Sequence, residues 1–232
     1  MALVQMNFES RYLNNNHEIS IILPDMPRDK TPAEFYGSGR KYKVLWLLHG
    51  TFGDHSDWIR KSNIELYACE KDLIVVMPSA LNSNYAEWAK FSIGFDMYHY
   101  LTEELMPLVY NWFPASDKRE DNFIAGLSMG GRGTLVYALN HPEKFAAAAV
   151  LSSCPFNIAD PNAPSLGART QGSIDNRGGL EEYLASYENT WRIVDERAGD
   201  PALPRFYFAM GKNDFLYEHF KHFKKHAAEI GF

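Results

Sequence analysis

The sequence has little of several features that would each point to a particular class of protein. Its two cysteines, Cys69 and Cys154, lie far apart, and we interpret them as two buried thiols. Acidic residues outnumber basic ones by 29 to 23, and a net charge of −6 does not favour a nucleic-acid or anionic-membrane surface. No stretch approaches the ~20 apolar residues of a membrane span, and the first residues show no signal-peptide pattern. We therefore expect a cytoplasmic protein without nucleic-acid or membrane partners.

Apolar and aromatic residues are plentiful, at 46% and 14% of the chain. This composition is typical of a packed globule, and 232 residues suit one α/β domain over 1–232. Short apolar runs alternate with helical patterns, which predicts a mainly parallel sheet with helices on both faces and chemistry at the carboxyl ends of its strands. The predicted strands are Met6–Tyr12, Glu18–Leu23, Tyr42–His49, Leu73–Pro78, 121–125, Ala146–Leu151 and Phe206–Met210.

The stretch Gly126–Gly131 carries the strongest chemical signal. It reads Gly-Leu-Ser-Met-Gly-Gly and lies between a predicted strand and a predicted helix. A serine in that position forms a nucleophile elbow, in which glycines allow a tight turn and the hydroxyl projects above the sheet edge. The pattern predicts Ser128 as a nucleophile; the alternative is a surface Gly-Ser turn.

The loop His49–Trp58 also follows a buried strand. A strand that ends in His-Gly suits an oxyanion hole, because glycine lets the next backbone N–H turn towards the nucleophile. We predict that the N–H groups of Thr51 and Met129 are the two donors. Asp54, His55 and Asp57 in this loop could suggest a metal site, but their spacing fits no metal pattern, so we expect no metal.

The third signal is Asp214, which directly follows the last predicted strand. An acid after the nucleophile in sequence fits the order Ser…Asp…His of a catalytic triad, where it would orient a histidine. The alternative is that Asp214 caps the helix that follows.

Residues 155–200 contain no obvious strand, and we predict a lid-like insertion or acyl-pocket wall over the serine; packing away from the site is the alternative. The following aromatic residues could line an apolar acyl pocket or belong to ordinary core: Tyr85, Trp88, Phe91, Phe95 and Phe156. Of these, Trp88, Phe91 and Phe156 are the predicted substrate-binding residues.

Three of these features resemble the "putative esterase" group of α/β-hydrolases, over the chain from about Phe8 to its end: the strand with its His-Gly loop, the Gly-Leu-Ser-Met-Gly-Gly elbow, and the stretch Gly-Lys-Asn-Asp-Phe-Leu-Tyr that contains Asp214. The insertion at 155–200 is not specific to that group. The resemblance is closest to tributyrin esterases and small feruloyl (cinnamoyl) esterases, and more distant to esterase D (S-formylglutathione hydrolase) and the mycolyltransferases. It implies an α/β-hydrolase fold and a cofactor-free serine carboxylesterase. Short-chain acyl or hydroxycinnamoyl esters would be its small-molecule substrates, with an acyl-enzyme on Ser128 and Asp214 as triad acid. Homo-oligomerisation stays open.

The catalytic histidine of that family follows the acid, on a loop after one more strand, usually within Gly-His-x-Trp. The sequence ends at Phe232, so the last strand, the histidine loop and the last helix are expected to be missing, which would leave Phe206–Met210 as an apolar sheet edge. His219, His222 and His226 recur at helical spacing as a half-exposed stripe, and His219, the nearest of them to Asp214 in sequence, is the candidate base among them. An inactive or impaired scaffold, or an acyltransferase, is the alternative function.

Overall fold

The structure, a computed structural model, describes residues 2–90, 94–160 and 167–232. The strands are β1 (Ala2–Ser10), β2 (Asn15–Leu23), β3 (Lys43–Leu48), β4 (Leu73–Pro78), β5 (Glu87–Trp88), β6 (Phe95–Asp96), β7 (Asn122–Leu127), β8 (Ala147–Leu151) and β9 (Arg205–Ala209). The α-helices are α1 (Pro32–Tyr36), α2 (Asp57–Lys61), α3 (Ile64–Glu70), α4 (Met97–His99), α5 (Met106–Trp112), α6 (Met129–Asn140), α7 (Gly167–Arg177), α8 (Leu180–Ala185), α9 (Thr190–Arg197) and α10 (Tyr217–Ile230).

Seven strands form one sheet in the order β1-β2-β4-β3-β7-β8-β9. β1 pairs antiparallel with β2, and β2 antiparallel with β4, whereas β4, β3, β7, β8 and β9 pair in parallel. The mainly parallel sheet that the sequence predicts is therefore confirmed, with an antiparallel hairpin at one end. In the register of β3 against β7, Leu48 lies opposite Gly126. That pairing brings the loop after β3 next to the serine turn after β7.

Helices cover both faces of this sheet. Val44, Trp46 and Leu48 of β3 belong to a core cluster that includes residues of α4, α5 and α6. The intervening Leu47 joins a second cluster on the other face, with residues of α2 and α3. Because side chains alternate across a strand, a strand covered on both faces is apolar throughout, as Lys43–Leu48 and Leu73–Pro78 nearly are.

Some details differ from the sequence-based expectation. Met97, Leu101, Leu105, Leu108 and Trp112 recur at a spacing that predicts one continuous helix. The structure instead has a π-helical stretch, Tyr100–Leu105, between α4 and α5. Cys154 is buried, but Cys69 is only partly so. Within the described part of residues 155–200 there are three helices and no strand. No helix among the described residues has the length and apolar character to cross a lipid bilayer.

His17 on β2 makes the fold sensitive to acid. Its side chain is 5% exposed, and its ring packs edge-on against Tyr100 at 4.9 Å between centroids. Burial lowers the pKa of His17 to about 4, partly offset by a hydrogen bond to the backbone of Ser79. Between pH 6.5 and pH 4 the unfolded chain therefore binds a proton that the folded chain excludes, so stability falls as the pH is lowered.

We expect the free energy of unfolding to fall by about 3 kcal/mol as the pH is lowered from 6.5 to 4, because of His17. His17→Gln should remove most of this dependence on pH. The measurement is urea unfolding at a series of pH values, with His222→Gln on the exposed face of α10 as the control. If the free energy of unfolding depends on pH equally in wild type and His17→Gln, His17 is not the group that makes the fold sensitive to acid.

Candidate active site

Ser128 occupies a sharp turn between β7, which ends at Leu127, and α6, which begins at Met129. Its backbone has φ 56° and ψ −113°, a strained conformation for a residue with a side chain. The turn needs glycine on both sides of the serine. A Cβ at Gly126 would lie 2.3 Å from the carbonyl oxygen of Gly130, and one at Gly130 would lie 2.4 Å from that of Leu48. This is the geometry of a nucleophile elbow.

The loop after β3 lies directly beside this serine. A Cβ added at Gly50 would be 3.8 Å from the Cβ of Ser128 and 3.3 Å from the carbonyl oxygen of Leu127. Met129 is the first residue of α6, where a backbone N–H has no partner within the helix. The N–H groups of Thr51 and Met129 are therefore the candidate oxyanion donors, on the two elements that meet at Ser128.

His49 fixes the shape of that loop, a role that was not predicted from the sequence. Its ring Nδ1 lies 2.6 Å from the carbonyl oxygen of Gly50, and its Nε2 accepts the Ala80 N–H at 2.8 Å. The ring is 1% exposed, and burial lowers the pKa of His49, which keeps the imidazole neutral. Only a neutral ring can donate from Nδ1 and accept at Nε2. The sequence signal for this role is the strand that ends in His-Gly.

Other polar residues of the loop have structural partners. Asp54 accepts hydrogen bonds from the backbone and hydroxyl of Ser56, which lower its pKa. Asp57 pairs with Lys61 at 2.9 Å, and His55 Nδ1 lies 2.7 Å from the hydroxyl of Ser20. Across the described ranges, no group of three or more His, Cys, Asp or Glu side chains could hold a metal ion.

Asp214 lies in the turn between β9 and α10. Its Oδ1 accepts the N–H of Leu216 at 2.9 Å, so one carboxylate oxygen stabilises the turn before the helix. Its charge also acts on Cys154: burial first, and then the nearby Asp214, raise the pKa of that thiol to about 12. Cys154 is therefore protonated and unreactive. The role of Asp214 as a triad acid stays a prediction.

Ser128 opens into a cavity of about 770 Å³. The cavity is lined by Thr51, Phe52, Asn84, Ser128, Met129, Arg132, Ser153, Phe156, Ile158, Arg169, Thr170, Ser173, Tyr183, Phe215, Leu216 and His219. The structure thus brings Ser128 together with both candidate oxyanion residues and with one predicted substrate-binding residue, Phe156. Six of the lining residues come from the described part of the segment 155–200, and these six form one wall.

The other aromatic candidates lie elsewhere. Tyr85 and Phe95 belong to the core cluster, and Trp88 packs against it while its indole N–H donates to the carbonyl oxygen of Ser83 at 2.6 Å. Trp88 is not among the described residues that line the cavity. Phe91 lies outside the described residues. Local sequence could not separate pocket aromatics from core aromatics, because both follow strand ends.

A buried ion cluster joins the wall to the elbow helix. Arg132, one turn after Ser128, donates to Glu188 at 2.7 Å, to the Tyr183 hydroxyl at 3.2 Å and to the Asn84 carbonyl oxygen at 3.0 Å. Glu188, whose side chain is wholly buried, also pairs with Arg177 at 2.7 Å. Burial lowers the pKa of Arg132, but Tyr183 and Glu188 together hold it above its ordinary value. Sequence reasoning missed this cluster entirely.

His219 lies in the wall of the same cavity, with its ring 4.9 Å from that of Phe156. Burial, and then His222, lower the pKa of His219. No histidine in the described part of the chain forms a hydrogen bond with Ser128 or with Asp214. The structure therefore places His219 near the nucleophile without the contact that a general base makes.

A parallel sheet flanked by helices, with an elbow serine facing a strand-end loop, defines an α/β-hydrolase. Comparison with known proteins agrees with this class. A family model described as "Putative esterase" matches residues 10–214. The chain is similar to an acetyl esterase of Caldicellulosiruptor saccharolyticus, with 31% identity over 93% of this chain and 82% of that protein.

Two solved structures from Staphylococcus aureus are also similar. One is the fluorophosphonate-binding serine hydrolase FphF, with a TM-score of 0.79, 32% identity, and coverage of 99% of this chain and 86% of that one. The other is the S-formylglutathione hydrolase FrmB, with a TM-score of 0.78, 32% identity, and coverage of 99% and 87%. The chain belongs to this esterase family, and it is a carboxylic ester hydrolase.

Proposed function

We propose that this protein hydrolyses short-chain acyl or hydroxycinnamoyl esters through an acyl-enzyme on Ser128. The observation that carries the proposal is the elbow itself. Ser128 is held at a strained φ of 56°, beside Gly50 and at the N-terminus of α6. This conformation suits a residue that presents its hydroxyl as a nucleophile.

The mechanism follows from the positions of these groups. The hydroxyl of Ser128 attacks the ester carbonyl, and the N–H groups of Thr51 and Met129 stabilise the oxyanion. One such donor is worth about 3 kcal/mol in the transition state. The C–O bond to the alcohol part then breaks, and the alcohol leaves with the proton that the Ser128 hydroxyl has lost. Water adds to the acyl-enzyme in the same way, which releases the acid and returns a proton to Ser128. Asp214 is proposed as the acid that orients the histidine base, and no described residue is assigned as that base.

The substrate class is inferred from the cavity and from the relatives. Phe156, Ile158 and Leu216 offer apolar surface, but the inner wall also presents Asn84, Ser173 and Tyr183. These polar groups are paired within the protein, Asn84 with Ser173 and Tyr183 with Arg132. A wall of this kind offers little apolar surface for a long hydrocarbon chain to bury against, which disfavours long-chain esters. The names of the acetyl esterase and of the S-formylglutathione hydrolase both indicate small acyl groups, which supports the same choice.

One observation favours a second candidate function. Since no histidine among the described residues forms a hydrogen bond with Ser128 or Asp214, the elbow could belong to an impaired scaffold that binds esters without turnover. An acyltransferase is a third candidate, since acyl transfer to an alcohol or thiol uses the same acyl-enzyme.

We expect p-nitrophenyl acetate and butyrate to be hydrolysed with higher kcat/KM than p-nitrophenyl palmitate, and methyl ferulate to be a substrate. The measurement is initial rates for this series, with added methanol or cysteamine as acyl acceptors. Palmitate as the best substrate would contradict the proposed class. A product that carries the acyl group on the acceptor would favour the acyltransferase, and no turnover at all would favour the scaffold.

A further inference from the structure

The cavity at Ser128 contains positive charge but no described carboxylate in its lining. Its lining includes two guanidinium groups, those of Arg132 and Arg169, and no Asp or Glu among the described residues. The whole chain has the opposite balance, with 29 acidic and 23 basic residues. A basic cavity in an acidic protein attracts anionic ligands locally, because its walls concentrate the field.

The two guanidinium groups differ in whether a carboxylate of the protein already neutralises their charge. Arg132 is paired with the buried Glu188, which it shares with Arg177, and a second acid, Glu87, lies 3.6 Å from Arg177. These two arginines and two glutamates cancel in formal charge. Arg132 is therefore satisfied by the protein and is not available to a ligand.

Arg169, on the first turns of α7, is held in a different way. Its Nη1 donates to the hydroxyl of Thr51, and its guanidinium lies over the ring of Phe52, 5.4 Å from the centroid. Within residues 2–90, 94–160 and 167–232, no carboxylate forms an ion pair with Arg169. Its side chain is exposed, and a guanidinium has five N–H donors, so most of them remain free for a ligand.

The partner of Arg169 is itself held in an unusual conformation. Phe52 has φ 60°, which is strained for a bulky residue, and its N–H donates to the side chain of Asn82 at 2.9 Å. Its ring is 86% exposed, and that of Phe215, also in the cavity lining, is 85% exposed. The chain thus presents a cation over the exposed ring of Phe52 and next to Thr51, in a cavity lining that also includes the exposed Phe215.

We propose that Arg169, Thr51 and Phe52 form a subsite for a carboxylate on the substrate, so that the preferred esters are anionic. This rests on the proposed esterase function, and Arg169 is the residue that determines the specificity. A planar guanidinium binds a carboxylate through two parallel hydrogen bonds, and the ring of Phe52 holds it in position. The carboxylate can be carried by either the acyl or the alcohol part, and the two arms of the test distinguish these sources.

The test compares matched ester pairs that differ by one negative charge. The alcohol arm uses para-acetoxybenzoate and its methyl ester, and the acyl arm uses p-nitrophenyl hydrogen adipate and p-nitrophenyl hexanoate. Each pair gives a ratio of anionic to neutral kcat/KM for wild type, Arg169→Gln, Arg169→Lys and Arg205→Gln. The last removes the same charge from an exposed residue of β9, at the opposite end of the strand from the site.

We expect Arg169→Gln to lower the ratio about tenfold in one arm, mainly through KM, because a hydrogen bond to a charged group at a partly exposed site is lost. Arg169→Lys should lie between wild type and Arg169→Gln, and Arg205→Gln should match wild type. Added salt should reduce the wild-type preference. An unchanged ratio in both arms for Arg169→Gln, or an equal fall for Arg205→Gln, would overturn the subsite.

A binding measurement separates this inference from the esterase proposal. Para-acetamidobenzoate and its methyl ester resemble the alcohol-arm pair but carry an amide in place of the ester. Adipate monoamide and hexanamide serve the acyl arm. Calorimetric titration should show tighter binding of one anionic member to wild type than to Arg169→Gln, whether or not any ester is hydrolysed. If esters are turned over but neither anion binds better, the subsite fails and the esterase proposal stands.

Discussion

Replacing Ser128 by alanine is expected to lower kcat for p-nitrophenyl butyrate by roughly 10⁴-fold or more, with KM little changed. The hydroxyl is the group that forms the acyl-enzyme, so its loss removes the covalent route and leaves only the oxyanion donors and substrate binding. Folding should be nearly unaffected, within about 1 kcal/mol, because the side chain is a partly exposed cavity residue and not part of the core.

The matched control is Ser152→Ala. Ser152 also follows a strand and also has a positive φ, 49°, but it is not among the described residues that line the cavity. Both substitutions therefore place alanine in a left-handed conformation, and only one removes the proposed nucleophile. Full activity of Ser128→Ala, or an equal loss in Ser152→Ala, would show that another group does the chemistry.

The second large effect is expected at Gly130, where alanine should destabilise the fold by at least about 3 kcal/mol. The added Cβ would lie 2.4 Å from the carbonyl oxygen of Leu48 and 2.7 Å from that of His49. Both are backbone atoms at the end of a central strand, and they cannot move aside as a flexible side chain could. The first turn of α6 must shift instead, which also displaces the Met129 N–H from the serine.

Chemical denaturation followed by circular dichroism measures this loss. The control is Gly172→Ala in α7, whose new Cβ would meet nothing closer than Trp88 at 3.9 Å. That change should be neutral or stabilise by up to about 1 kcal/mol, since alanine favours a helix over glycine. A Gly130→Ala protein with wild-type stability would mean that α6 and β3 are less closely packed than the structure shows.

Much of the fold could be predicted because its signals are local. Buried parallel strands are apolar runs, and the runs at Tyr42–His49 and Leu73–Pro78 coincide with β3 and β4. The elbow could be predicted for the same reason: the glycines, the serine, the strand and the helix are adjacent in sequence. The π-helical stretch Tyr100–Leu105 could not, since the apolar positions there follow an ordinary helical spacing.

The walls of the site depend on contacts between residues far apart in the chain. Arg169 meets Thr51 across 118 positions, and Arg132 meets Glu188 across 56. A single sequence contains no periodic signal for such pairs, because they arise only when the insertion folds over the sheet edge. The position of Trp88 could not be predicted for the same reason. We expected it in the pocket because it follows a strand end, but it packs against the core.

The most direct measurement of the central claim is labelling with a fluorophosphonate probe, followed by mass spectrometry of the digested protein. The probe reacts with an activated serine, and the similar FphF is described as fluorophosphonate-binding. We expect one label per chain, attached to Ser128, and none in Ser128→Ala. Labelling of the unfolded protein should be negligible. A label on another serine, or equal labelling of Ser128→Ala, would contradict the assignment of Ser128 as the nucleophile of an ester hydrolase.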